Sequence, residues 1–215
     1  MAVITSSLER NENLINSLIP WLVCITGGLL FFYESIQMNM FNSLNTALMA
    51  SFHTNATDLG LLTSVYFYTN ASLVFVAGNL LDRFSTRKLI LFSMTCCTLG
   101  TFIFSLAPSM GVAVIGRFLV GIGGAFCFLS SVKLASRWFP PARMALIVGV
   151  IVTMYMFGGM VAQTPLAMAV HHFGWRYAVF LDGMLGVALT AFMWAIIKDR
   201  PEKDKTLAVQ ETRKL

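Results

Sequence analysis

The stretch Gly78-Asn79-Leu80-Leu81-Asp82-Arg83-Phe84-Ser85-Thr86-Arg87-Lys88 decides the fold. It is a short, charge-dense segment wedged between two long apolar runs. A soluble core has no use for that arrangement. Two helices that span a bilayer do, because the joint between them must lie in water, and this joint is basic.

Composition points the same way. Of the 215 residues, 57% are hydrophobic and 12% are charged, about half the charged share usual in soluble domains. The formal net charge of +5 raises a nucleic-acid partner as one reading. The basic residues sit at the ends of apolar runs and do not share a face, so no nucleic acid is expected. Cys24, Cys96, Cys97 and Cys127 all lie within apolar runs without metal-ligand spacing. They read as small core thiols. No metal, no cofactor and no hydrolytic or nucleotide-binding constellation is indicated. An enzyme or an ATP-driven pump is therefore not expected.

A crossing helix needs about 20 apolar residues. Six runs qualify or nearly do: Leu18–Met38, Leu59–Leu81, Leu89–Leu106, Met110–Leu134, Met144–Ala169 and Trp175–Ile197. Residues 1–17 mix Glu9, Arg10 and Glu12 with Asn and Ser, unlike a cleavable leader, and read as a cytoplasmic N-terminal segment. Residues 18–197 form the expected bundle. Residues 198–215 read as a cytoplasmic tail or the start of a linker, with Pro201 as a helix stop.

Lys and Arg set the direction. Arg10, Arg83, Arg87, Lys88, Arg137, Arg143 and the tail cations fall on one side, and Arg176 alone on the other. Both termini are thus expected in the cytoplasm. Trp21, Trp138, Trp175 and Trp194 lie near span ends, as interfacial anchors tend to do.

Charges inside spans are costly and are functional candidates by default. Counting at about 1.5 Å per residue puts Glu34, Arg117 and Asp182 at a common depth, about 10 Å below the outer surface. Two carboxylates and a guanidinium there are able to neutralise one another. A substrate or proton pathway is one reading, and a structural ion pair that only orients helices is the other. Arg176 is a candidate partner for Asp182. Gln37, Asn39, Asn42 and Asn45 extend a polar stripe from Glu34, either solute-binding or simply a hydrated helix end. Tyr66 and Asn70 share a face of the second span, while Tyr155 and Gln163 interrupt the fifth. Each is a cavity-lining hydrogen-bonder or interhelical glue. Gly121, Gly123, Gly124, Gly149, Gly158 and Gly159 are expected to let helices approach closely. Pro165 is expected to kink the fifth span. His171 and His172 read as ordinary outer-loop residues, and Asn55-Ala56-Thr57 as a weak glycosylation sequon.

Two motifs carry a family resemblance. The loop resembles the G-x-x-x-D-R-x-G-x-R-K signature between helices 2 and 3 of the major facilitator superfamily, with Ser85 where the family has Gly. Arg117-Phe118-Leu119-Val120-Gly121-Ile122-Gly123-Gly124 is similar to that family's fourth-span R-x-x-x-G-x-G-G. The resemblance implies an all-α membrane protein, six transmembrane helices as two inverted three-helix repeats, forming one half of a major-facilitator fold. It also implies a second six-helix half, from the same parent chain or another copy. In the family, the first and fourth spans line a central cavity and the fourth-span Arg is linked to proton coupling. Gly78, Asp82, Arg83, Arg87 and Lys88 then become gating-loop residues, with Asp82 locking onto the other half. A purely topogenic basic loop is the alternative.

A narrower likeness covers five stretches: Phe32–Phe41, Leu81–Arg87, Phe126–Ser130, Leu134–Pro140 and Gly158–Pro165. These resemble the phagosomal (Pht-type) transporters of intracellular bacteria, proton-driven importers of amino acids or nucleosides. That implies a bacterial inner membrane, a small polar solute such as an amino acid, and proton-coupled alternating access. An organic-anion or siderophore transporter, or a non-transporting half acting as a sensor or assembly partner, stand as the alternatives.

Overall fold

The computed structural model describes residues 2–197, with side chains from Ile19 onward. The expected tail 198–215, and the side chains of the expected segment 1–17, lie outside that description. The chain forms α1 (Ala2–Phe52), α2 (Ala56–Arg83), α3 (Thr86–Ser105), α4 (Met110–Ser136), a 3-10 turn (Pro141–Arg143), α5 (Met144–Gln163), α6 (Pro165–Phe173) and α7 (Trp175–Ile196). No strand occurs among the described residues. Six segments are long and apolar enough to cross a bilayer: Ile19–Phe52, Ala56–Arg83, Thr86–Ser105, Met110–Ser136, Pro141–Phe173 and Trp175–Ile196. A bilayer permits this because helices satisfy their own backbone hydrogen bonds.

Two boundaries differ from the sequence expectation. The first helix does not stop near Met38 but runs to Phe52. Met40, Leu44 and Leu48, spaced by four, are buried and carry the apolar row onward with no Gly or Pro to break it. The basic segment is not a turn throughout. Gly78 to Arg83 belong to α2, so only Phe84 and Ser85 connect α2 to α3. Ser85 has φ −60° and ψ 127°, and its hydroxyl accepts from the Lys88 backbone N–H as the N-cap of α3. No left-handed conformation is needed, so serine serves where the family pattern has glycine, and it adds a cap. Gly174, between α6 and α7, is the glycine that takes a left-handed φ (82°) among the described residues. At Thr164 the fifth span breaks, and Pro165 opens α6 at a position where its missing N–H costs nothing.

Helix pairing reveals the internal repeat. The unit α1–α2–α3 corresponds to α4–(α5, α6)–α7. Helix α1 packs on α5 as α4 packs on α2; α3 packs on α7; and α3·α4 is matched by α1·α7. Three crossings separate α1 from α4, so the two units run inverted. Glycine makes the tightest crossing possible. A Cβ on Gly100 of α3 would lie 2.6 Å from Gly116 O of α4, and one on Gly116 2.8 Å from Gly100 O. A Cβ on Gly123 would meet Ser93 O at 2.6 Å, and Ser93 Oγ itself donates to Gly123 O at 2.7 Å. The Gly100–Gly116 crossing was not among the packing glycines expected from sequence. Of those that were, Gly121 and Gly158 sit against neighbouring backbone, Gly159 makes ordinary contacts, and Gly149 faces open space. Gly149 therefore does not pack helices within this bundle. Its helix α5 turns that face away from α1.

Replacing Gly100 with Val should cost about 1–3 kcal/mol through overpacking, read as a lower thermal midpoint of the detergent-solubilised chain. Gly60→Ala, whose new methyl meets nothing within 4 Å, should leave the midpoint unchanged or raise it, through helix propensity. Equal midpoints for the two variants would remove the α3–α4 crossing as the organising contact.

Candidate functional site

A layer of polar side chains crosses the apolar bundle at one depth, and α1 supplies its centre. Tyr33, Glu34 and Gln37 lie within one turn and point to different neighbours. Tyr66 of α2 donates its hydroxyl to Glu34 Oε1 at 2.5 Å. Gln37 donates its amide N–H to Asp182 Oδ2 of α7 at 2.5 Å. Tyr33 donates toward Asp182 O (3.3 Å) and Thr101 Oγ1 (3.4 Å). Arg117 of α4 donates through Nη1 to the Gln37 backbone carbonyl at 3.2 Å. All of these side chains are buried; Arg117 is 1% exposed.

No ion pair joins Arg117 to Glu34 or Asp182 among the described residues. The expected mutual neutralisation is therefore replaced by a relay through Gln37. The Arg117 guanidinium lies between aromatic faces, 4.6 Å from the Phe41 ring centroid and 4.9 Å from that of Tyr66, where cation–π attraction offsets part of its desolvation. Its Nε and Nη2 have no hydrogen-bond partner among the described residues.

Beside this layer opens a cleft of about 260 Å³, lined by α1, α2, α4 and α5. Glu34, Asn70 and Tyr155 supply its polar groups; Phe31, Val74 and Phe128 supply apolar walls. Glu34 is the one charged side chain in that lining. Gly124 shapes the floor. A Cβ there would lie 2.8 Å from Asn70 Nδ2 and 3.3 Å from Glu34 Oε1, so this glycine leaves room for the carboxylate. Tyr155 stacks on Phe31 with ring centroids 4.4 Å apart, and its hydroxyl meets Met38 Sδ at 2.9 Å.

The structure thus gathers Glu34, Gln37, Tyr66, Asn70, Arg117, Tyr155 and Asp182. Arg117 does not line the cleft but sits against the Tyr66 ring. Gln163 is exposed at the end of α5, eight residues or about 12 Å beyond Tyr155. Asn42 and Asn45 are exposed, and Asn39 bonds back to Ser35 O. Beyond Gln37 the stripe thus leaves the buried layer. Arg176 does not pair with Asp182. It donates to Ala107 O at 2.8 Å and stacks on Trp175, because its place in the first turn of α7 leaves it at the bundle end. Trp175 is not an interfacial anchor either. It is buried and donates to Ser51 Oγ at 2.7 Å. Asn55 caps α2 by accepting from the Asp58 N–H at 2.9 Å.

At the basic end, Asp82 has a partner inside this chain. Lys133 of α4 reaches Asp82 Oδ1 at 2.5 Å and Leu81 O at 2.7 Å. Sequence reasoning missed this pair. The available signal was a lysine one turn before the end of α4, on the same side as the loop. Asp82 is well exposed, so the pair is a weak, easily exchanged contact. Arg87 donates to Trp194 O at 2.8 Å, while Arg83 and Lys88 are exposed.

A family model described as Major Facilitator Superfamily matches residues 27–214. Among curated proteins, an uncharacterised transporter YybO of Bacillus subtilis (strain 168) is 29% identical over 165 residues, 77% of this chain and 38% of that protein. The probable sulfoacetate transporter SauU of Cupriavidus necator is 25% identical, over 74% of this chain and 37% of its own length. The niacin transporter NiaP of Acinetobacter baylyi is 23% identical, over 91% and 44%. The chain spans less than half the length of these relatives. Two solved structures share the fold. A bacterial homologue of the human lysosomal transporter Spinster, inward-facing and unoccupied, has a TM-score of 0.78 at 18% identity, covering 85% of this chain and 44% of that one. A D-xylose–proton symporter has a TM-score of 0.63 at 19% identity, covering 90% and 51%.

The Tyr66–Glu34 contact predicts strong coupling. In a double-mutant cycle of Tyr66→Phe and Glu34→Leu, thermal or denaturant stability should show an interaction of about 1.5–3 kcal/mol, the range for hydrogen bonds to charged groups. Additive effects would mean that the two side chains do not meet.

Proposed function

Because this chain belongs to the major facilitator superfamily, we propose that residues 18–197 supply one half of a secondary transporter. That half carries a small polar solute across a bacterial inner membrane by alternating access, coupled to protons. A second six-helix half, from the same parent chain or another copy, closes over the cleft. Its docking surface is the open flank of α2 and α5, where Phe67, Tyr68 and Phe75 of α2 and Met156, Phe157 and Met160 of α5 are exposed.

One observation carries this reading: a single buried carboxylate, Glu34, faces the cleft and is held by the Tyr66 hydroxyl. A lone acid in an apolar wall suits a proton or the ammonium group of an amino acid. Asn70 and Tyr155 add neutral hydrogen-bonding groups for the rest of the solute. The five-stretch likeness to the Pht-type transporters supports an amino acid. Gln37 ties Asp182 and Arg117 to the helix that bears Glu34, so a change at Glu34 is passed to α4 and α7. Gln163, exposed beyond the cleft at the end of α5, serves the outer part of the pathway in this reading.

A second reading is an organic acid. It draws on the two unpartnered nitrogens of Arg117 and on relatives named for sulfoacetate, hexuronate and niacin. It requires Tyr66 to move aside so that the guanidinium reaches the cleft.

We place the end bearing Arg83, Arg87, Lys88, Lys133, Arg137 and Arg143 in the cytoplasm, with Arg176 outside, by the excess of basic residues. The weak Asp82–Lys133 pair is then a cytoplasmic latch that exchanges partners as the halves rock.

In proteoliposomes holding the complete transporter, labelled amino acids should accumulate under an inward proton gradient more than labelled organic acids do. Glu34→Gln should bring the ratio of uptake with and without the gradient to about one; an unchanged ratio would refute proton coupling through Glu34. Cysteine placed at Phe84 should react with an impermeant thiol reagent only from the cytoplasm, and cysteine at His171 only from outside. Labelling of both from one face would overturn the topology.

A further inference from the structure

A second hollow lies away from the cleft. Between α3 and α7 runs a groove of about 520 Å³, lined by Leu91, Leu99 and Phe102 on one side and Val187, Ala191 and Trp194 on the other. Two of its three hydroxyls are satisfied within their own helices, Thr95 donating to Leu91 O and Thr190 to Gly186 O, both at 2.7 Å; the third, on buried Thr98, has no hydrogen-bond partner among the described residues. No residue of α3 or α7 lines the Glu34 cleft, so a half that closes over the cleft leaves this groove facing outward.

Length and charge specify what fills it. From Leu91 to Phe102 the groove follows α3 for about 17 Å, close to the roughly 15 Å of one leaflet's hydrocarbon. Trp194 stands at one end. One turn before Leu91, Arg87 reaches across to Trp194 O at 2.8 Å, which holds a guanidinium charge at the mouth. Lys88 is exposed beside it. An apolar channel one leaflet deep, ending in fixed positive charge at headgroup level, is complementary to an anionic phospholipid.

We propose that the α3–α7 groove is a binding site for an anionic phospholipid of the leaflet on the basic side, with an acyl chain along Leu91–Phe102 and the phosphate at Arg87 and Lys88. This site is independent of the solute cleft and rests on the membrane-spanning fold alone.

The probe is phosphatidylglycerol brominated on its acyl chains, at low mole fraction in phosphatidylcholine vesicles, against brominated phosphatidylcholine at the same fraction. The reporter is Trp194 fluorescence, taken as the difference between the chain and its Trp194→Phe variant. Brominated phosphatidylglycerol should quench Trp194 about fivefold more effectively, as about one favourable basic contact implies. The Arg87→Gln/Lys88→Gln variant should quench equally with both lipids. Ala191→Phe, which fills the groove and keeps the charges, should reduce the preference. Equal quenching of the unaltered chain, or a preference that either variant leaves undiminished, overturns the proposal. So does shielding of Trp194 from both lipids that grows with the protein-to-lipid ratio, since a second copy then occupies the face.

Discussion

Gln37 holds two buried charges in place without letting them meet. Its side-chain amide donates to Asp182 and its backbone carbonyl accepts from Arg117, so α1, α4 and α7 are tied through one residue. In a bilayer core no water is at hand to satisfy a stray polar atom. Each acid and base in this layer must find its partner on a neighbouring helix. The layer therefore constrains the relative height and rotation of every helix that contributes to it. It also leaves Arg117 short of acceptors, held by the faces of Phe41 and Tyr66. Its Nε and Nη2 remain without a hydrogen-bond partner among the described residues.

Such a layer forms only if the helices behind it come close. The Gly100–Gly116 crossing of α3 on α4, with Gly123 against Ser93, brings those backbones into contact. Gly121 does the same for α4 on α2, and Gly158 for α5 on α1. The back of the bundle is accordingly dense. The flank of α2 and α5 is open and apolar, and the cleft lies along it.

Much of this was legible in the chain. Charges at the ends of apolar runs marked the six spans, and the depth count placed Glu34, Arg117 and Asp182 at one level. What the count lacks is azimuth. Depth follows from a rise per residue; direction depends on which neighbour each helix turns toward. Arg176 thus looked like the partner of Asp182, yet it bonds Ala107 O at the bundle end. Trp175 looked like an anchor at the lipid surface and is buried against Phe52 and Phe104. Lys133 was passed over because its partner, Asp82, lies 51 residues earlier in the chain.

The sequence alone determined that the chain is a helical membrane body, where it crosses, and which ionisable groups are carried inside. Transfer energies and the helical rise are local properties, summed along a segment. Only the tertiary structure decided that Gln37 stands between Arg117 and Asp182, that Tyr66 claims Glu34, that Lys133 holds Asp82, and that α3 and α7 leave a groove between them. Those facts depend on helix rotation and on contacts between residues far apart in the chain, and packing settles them collectively.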